Sequence, residues 1–359
     1  MLVHYKNKAK KICGLTLQFN VGSFSEPKGY EGYMHVAEHF MFVATKSFTH
    51  NSLQINIEKN FESLQADTGR DFIKINCIFH INNFDEVINI LQEMIYNWEC
   101  PKENFTEEKE IIIDEARDFY FYQENKIFLK IVKQLEIINN KTPIGKVTDL
   151  KKITYKDVSK IKRFWNKQIN NASTHAIAIG GSLEKKHLNK ISNIFNVTSI
   201  QQKNNKNLLT GYMTKSDFTT VWFKGYQNEE FKSLLYRIYY FRWFDNYFNE
   251  INFNPHTVLD FWFCSVYSSS LTKQEIKNIA DDIFLKPISK KEFDFAKKVL
   301  VEYLDKIIDS SDIIESLNFI NNQYIVGNIK TTSIKPFELT KKYKSVKYKE
   351  FKDFINKLT

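Results

Sequence analysis

The chain has 359 residues, 43% of them hydrophobic and 15% aromatic, with 51 Lys+Arg against 42 Asp+Glu for a formal net charge of +9. That apolar content excludes a disordered chain, and no run of about 18 or more apolar residues marks a membrane span. The length suits two domains of about 150–200 residues each, not one core.

In chain order, apolar periodicity predicts a strand over 14–21, a helix over 33–44, a strand over 73–80 and a helix over 84–98. A long helix over 107–124 follows, with Thr106 as its N-cap, then helix over 128–138 and 155–167 and a strand over 174–180. The pattern is α+β, a sheet backed by helices. The polar stretch 200–207 lacks periodicity and reads as a linker. It divides the chain into a first domain (1–199), a linker (200–210) and a second domain (211–359). The second half predicts strands over 218–226 and 258–267. Its helices fall over 229–249, 273–283, 290–308 and 313–326, with a last one from about 347. This order echoes the first half and points to an internal duplication.

Chemistry concentrates in His35, Glu38 and His39, which form an H-x-x-E-H motif within an apolar helix. Residues four apart share a helix face, so both imidazoles and the Glu38 carboxylate address one volume. The pattern fits a zinc ion held by His35 and His39, with Glu38 free to take a proton from the attacking water. Burying these groups without partners would cost roughly 1–3 kcal/mol each, which a metal removes. Two imidazoles leave zinc half coordinated, so a third ligand is needed. Glu108 and Glu115 are seven apart and share a face of the 107–124 helix, with Ile111 and Ile112 between them. By spacing alone, Glu115 is either the third ligand supported by Glu108 or part of a solvated acidic face with Glu107 and Glu110.

These residues resemble the M16 metallopeptidases, the family of pitrilysin, insulin-degrading enzyme and mitochondrial processing peptidase. The family pattern is G-x-x-H-x-x-E-H, followed some seventy to eighty residues later by E-x-x-x-x-x-x-E. Here Gly32 precedes His35 by three, and Glu115 follows His39 by 76 positions (115 − 39). The run Gly22-Ser23 with Glu26-Pro27 is similar to the turn before the family's metal helix. Gln65-Ala66-Asp67-Thr68 is similar to its N-A-x-T stretch, and Thr142-Pro143-Ile144-Gly145 and the glycine-ended strand at 176–181 match landmarks that close its first domain.

The resemblance implies two homologous α+β sandwich domains of the LuxS/MPP-like metallohydrolase fold, each a mixed or antiparallel sheet backed by helices. It implies a zinc endopeptidase with Zn2+ on His35, His39 and Glu115, Glu38 as the base and Glu108 in support. The peptide would add beside a sheet edge along Gln65 and Ala66. Short members pair, so a homo- or heterodimer with a second M16-like subunit is expected. The family's substrate-holding Arg and Tyr fall near Asn252 and Leu259, so either Arg242, Tyr247, His256 or Tyr267 substitutes for them or substrate holding is altered. The alternative expectation is a non-catalytic structural or substrate-presenting subunit.

The lysines are dispersed among Asn and Ile with no nucleic-acid motif, so a nucleic-acid partner is not expected and the clusters at 8–11 and 341–344 read as solvated surface. The positive surface would favour acidic peptides. Four scattered cysteines without C-x-x-C spacing, and no apolar segment behind the basic residues near Met1, lead to the expectation of free thiols and a cytoplasmic location.

Overall fold

Strand β2 (Ile12–Phe19) is buried along nearly its whole length, as a central strand covered on both faces must be. The polar groups at its middle answer one another, Thr16 Oγ1 donating to Asn76 Oδ1 at 2.7 Å, so burying them carries no unpaired donor. The computed structural model describes residues 2–5, 11–134, 142–198, 209–215, 217–224, 229–258, 261–309, 317, 333–334 and 336–356.

In the first half, β1 (Leu2–Tyr5) and β2 lead to α1 (Tyr33–Phe40). Then come β3 (Ala44–Thr45), α2 (His50–Asn60), β4 (Phe61–Thr68), β5 (Ile73–His80), α3 (Phe84–Asn97), β6 (Trp98–Glu99), α4 (Lys102–Phe121) and α5 (Gln123–Gln134). The short α6 (Val147–Leu150), α7 (Val158–Asn171), β7 (Thr174–Ile179) and α8 (Lys185–Ile194) complete it. In the second half lie β8 (Leu209–Thr214), β9 (Phe218–Lys224), α9 (Glu229–Tyr247), β10 (Asn252–Val258), β11 (Phe261–Tyr267), α10 (Lys273–Phe284), α11 (Lys290–Asp309), β12 (Ser333–Ile334), α12 (Pro336–Ser345) and α13 (Tyr348–Ile355).

The first sheet is mixed, in the order β12-β1-β7-β2-β5-β4, and the second is antiparallel, in the order β10-β11-β9-β8. Residues of α1, α3, α4 and α7 form one apolar core with β2, β5 and β7. Residues of α9, α10 and α11 form a second core with β11. The halves meet where Ile127, Phe128 and Ile131 of α5 pack with Phe218 and Tyr267, beside an ion pair between Lys130 and Asp217. The order β2-β5-β4 recurs as β9-β11-β10, with helix between the first and second of these strands in the chain (α1 and α2 in the first half, α9 in the second), so the repeat read from the sequence is present in the topology.

Several local expectations are corrected. Helix α4 begins at Lys102, not after Thr106: Pro101 precedes it in extended conformation, and Phe105 is buried against Phe40, which draws another turn into the helix. Its buried stripe is Phe105, Ile112, Ile113 and Ala116, whereas Ile111 faces solvent. Strand β1, helix α2, strand β10 and helix α12 were not anticipated. From the second half, β12 pairs in parallel with β1 of the first sheet. The predicted linker at 200–207 and nearly all of the helix at 313–326 lie outside the described residues.

Candidate metal centre

Helix α1 is set by its entry. Gly32 takes φ +90°, a conformation open to glycine. A Cβ there would stand 2.9 Å from Leu150 Cδ2 and 3.4 Å from Gly145 Cα. Gly32 and Gly145 thus let the 142–145 loop rest directly on the start of the helix. The buried Glu26 carboxylate accepts from the backbone N–H groups of Gly32 (2.9 Å) and Met34 (2.8 Å), capping the helix with negative charge at its positive end. Tyr120 on α4 donates to Gly145 O at 3.1 Å and lies 3.0 Å from Thr142 Oγ1. One loop therefore ties α4 to the N-terminus of α1.

That tie brings the two helices' polar groups together. His39 Nε2 lies 3.2 Å from His35 Nε2 and 3.1 Å from Glu115 Oε2, and His35 Nε2 lies 3.3 Å from the same oxygen. Donor atoms about 2.0–2.1 Å from a tetrahedral zinc stand about 3.3 Å apart, so the three atoms fit three corners of such a site. His35 is buried, while the Glu115 side chain is 50% exposed, so one side of the cluster is open. Openness is what a catalytic metal site requires and a structural one lacks.

Glu108 Oε1 stands 2.8 Å from His39 Nδ1, the carboxylate–imidazole arrangement that fixes a ligand's ring and tautomer. Burial alone would lower the His39 pKa, but hydrogen bonds to Glu108 and Glu115 and the charges of Glu115 and Glu38 outweigh it and raise it to about 9. Hydrogen bonds from His35 and His39 hold the Glu115 carboxyl well below the usual carboxylate range. Acid groups surrounding two imidazoles favour a cation at their centre. His35 Nδ1 is buried without a hydrogen-bond partner among the described residues.

Glu38 is not one of the three clustered groups, and its Oε2 accepts a 2.7 Å hydrogen bond from Thr68 Oγ1. Thr68 closes β4, the edge of the first sheet, which also carries Gln65 and Ala66. Glu107 and Glu110 are exposed on α4.

Of the residues considered as replacements for the substrate-holding pair, Arg242, Tyr247 and Tyr267 are engaged within the chain. Arg242 donates through Nε to Glu292 Oε1 (2.8 Å), through Nη1 to the carbonyls of Ile283 and Lys286 (2.9 Å each) and through Nη2 to Pro287 O (3.1 Å). It closes the C-terminus of α10. Tyr247 donates to Asp282 Oδ2 at 2.9 Å, Tyr267 is buried at the junction of the halves, and Asn252 Nδ2 donates to Tyr267 O at 3.5 Å. Leu259 lies outside the described residues, and His256 occupies β10.

Sequence reasoning missed the parts played by Thr68, Glu26 and Tyr120. The first two stood within recognised stretches, N-A-x-T and Glu-Pro, but their partners are 30 and 6–8 residues away. Tyr120 bonds across 22–25 residues with no local signal.

A helix with an inverted H-x-x-E-H run lies beside the edge strand of a mixed sheet and is joined by a glutamate from a second helix in an α+β protein. Residues 2–141 match the family model described as Insulinase (Peptidase family M16), and the chain fits that family, as its motifs imply. No curated protein sequence matches it. Among solved structures, a protease from Helicobacter pylori superposes with a TM-score of 0.72 at 15% identity, covering 99% of this chain and 93% of that one. The periplasmic protease PqqL from Escherichia coli gives 0.65 at 17% identity, with 99% of this chain matching 45% of PqqL. The M16 peptidase inactive domain from Pseudomonas fluorescens gives 0.72 at 10% identity, covering 99% and 92%. At these identities the likeness establishes the fold.

Proposed function

We propose that the protein is a zinc-dependent metalloendopeptidase that hydrolyses peptides or processes a peptide precursor, together with a second M16-type subunit. The observation that carries this reading is the convergence of His35 Nε2, His39 Nε2 and Glu115 Oε2 within 3.1–3.3 Å beside a carboxylate that is not part of the cluster. His35, His39 and Glu115 would hold a zinc ion, whose chemistry when bound would be to polarise the scissile carbonyl and acidify the attacking water, and Glu108 fixes the His39 ring through Nδ1. Glu38 takes the proton from the attacking water and returns it to the leaving amine. The open backbone row of β4 accepts the peptide as an added strand along Gln65 and Ala66.

Glu38→Gln tests the chemistry, because glutamine cannot accept the proton yet removes no ligand. Zinc content should stay at about one ion per chain, while cleavage of an unstructured peptide falls roughly 10²–10⁴-fold. Equal cleavage by the wild type and the variant would move the chemistry to another residue or subunit. A second reading, a non-catalytic or substrate-presenting subunit, draws on the inactive M16 domain among the similar structures. It requires that the wild type, with its partner present, leave a diverse peptide library uncut.

A further inference from the structure

The edge strand ends against the one carboxylate on α1 that the metal cluster does not use. Thr68 Oγ1 donates to Glu38 Oε2 at 2.7 Å, and among the described residues this is the only hydrogen bond to the Glu38 carboxylate. A threonine hydroxyl has a single proton to give. Spent on Oε2, it leaves Oε1 as the oxygen free to accept another proton and fixes the plane of the carboxylate.

The end of the strand is itself held firmly. Gly69 N–H donates to Phe72 O at 2.8 Å across the β4–β5 turn, and Ser23 and Phe24 donate their backbone N–H groups to Gly69 O (3.2 Å) and Arg70 O (2.8 Å). A Cβ on Gly22 would lie 2.5 Å from Gly69 O, so glycine there permits the approach. The pinned segment 22–24 runs directly into Glu26, the cap of α1. Thr68 and Glu38 therefore sit on one frame, fixed at both ends of their hydrogen bond.

We propose that Thr68 is the positioning residue of the general base, orienting Glu38 from the strand on which a peptide would add. The proposal rests on the endopeptidase reading for its kinetic consequence. It does not rest on that reading for its geometric one. A threonine that merely filled space at a strand end would be replaced by valine, its near-isostere, without effect on either.

The test uses the full chain, zinc-loaded and with any partner subunit present, as wild type, Thr68→Val and Thr68→Ser. High-resolution structures of the three come first. Glu38 should occupy one conformer in wild type and Thr68→Ser and be displaced or split in Thr68→Val. An unmoved Glu38 in Thr68→Val overturns the proposal whether or not the protein cleaves peptides. Kinetics on an unstructured peptide follow. Thr68→Val should keep its zinc and its melting temperature, lose about 10- to 100-fold in kcat and change KM little, while Thr68→Ser recovers most of the loss. A loss confined to KM, or no recovery with serine, would reduce Thr68 to strand packing. Failure of the wild type to cleave any peptide would sink the endopeptidase reading and leave the structural comparison decisive for Thr68.

Discussion

His39 stands between two acids, Glu108 on Nδ1 and Glu115 on Nε2, and the two should separate cleanly by mutation. On the proposed reading, Glu115→Gln takes the negative charge from a ligand, whereas Glu108→Gln weakens only the support of His39. Zinc affinity measured by competition with a chromophoric chelator should fall about 10- to 100-fold for Glu108→Gln and further for Glu115→Gln. The exposed Glu110→Gln should be silent, and a loss equal to that of Glu115→Gln would mean the wrong glutamate has been chosen. His35→Ala and His39→Ala should each lose the metal.

Arg242 offers a stability test far from the centre. Removing it strands the carbonyls at the end of α10 and the half-buried Glu292, at a cost of about 3–5 kcal/mol on urea unfolding. Burial pushes the Glu292 carboxyl up, but hydrogen bonds from Arg242 and Ser289 outweigh it and hold its pKa low. Its folded pKa is below its unfolded one, so the stabilisation is present above the ordinary carboxylate range and lost as pH falls through the lowered value. The stability difference between wild type and Glu292→Gln should therefore shrink in acid and be constant near neutrality.

At the scale of elements, Gly32 is the sharpest test of how α1 is seated. Gly32→Ala must adopt positive φ and push against Leu150, which should cost roughly 1–3 kcal/mol, read as a lower melting temperature and weaker zinc binding. The ligand helix, β5 and α3 were legible because apolar spacing and burial agree in them, and the two pairs of site residues were legible because they recur at helical intervals. Helix α2 was not. Only Leu53 and Asn60 are buried in it, so it has almost no apolar face to read. Strand β10 was hidden by Asn254 and Pro255, residues depleted in strands but tolerated here because β10 lies at a sheet edge. Thr68 and Tyr120 were illegible for a different reason: their partners are close only after the chain has folded.

For the molecule as a whole, Arg242, Tyr247 and Tyr267 are engaged within the chain, so on the proposed reading a partner subunit would supply the contacts that hold the substrate. The isolated chain should cleave poorly, and adding a second M16-type subunit should restore activity. A monomer by sedimentation with full activity would refute this. Exposed Phe244 on α9, Phe248 in the turn after it and Phe295 on α11, at 50%, 55% and 53% exposure, are apolar surface that such a partner would cover. Phe244→Asp with Phe248→Asp should then abolish association and leave the melting temperature of the single chain unchanged.

The pairing of Ser333–Ile334 with β1 bears on how the protein comes into being. Residues 4 and 5 find their outer neighbours only after residue 334 has left the ribosome, on the order of tens of seconds later at about 5–20 residues per second. Through that interval the nascent first sheet presents an unfinished parallel edge at β1. Such an edge can template pairing with other chains, and Ser333–Ile334 cover it once they arrive.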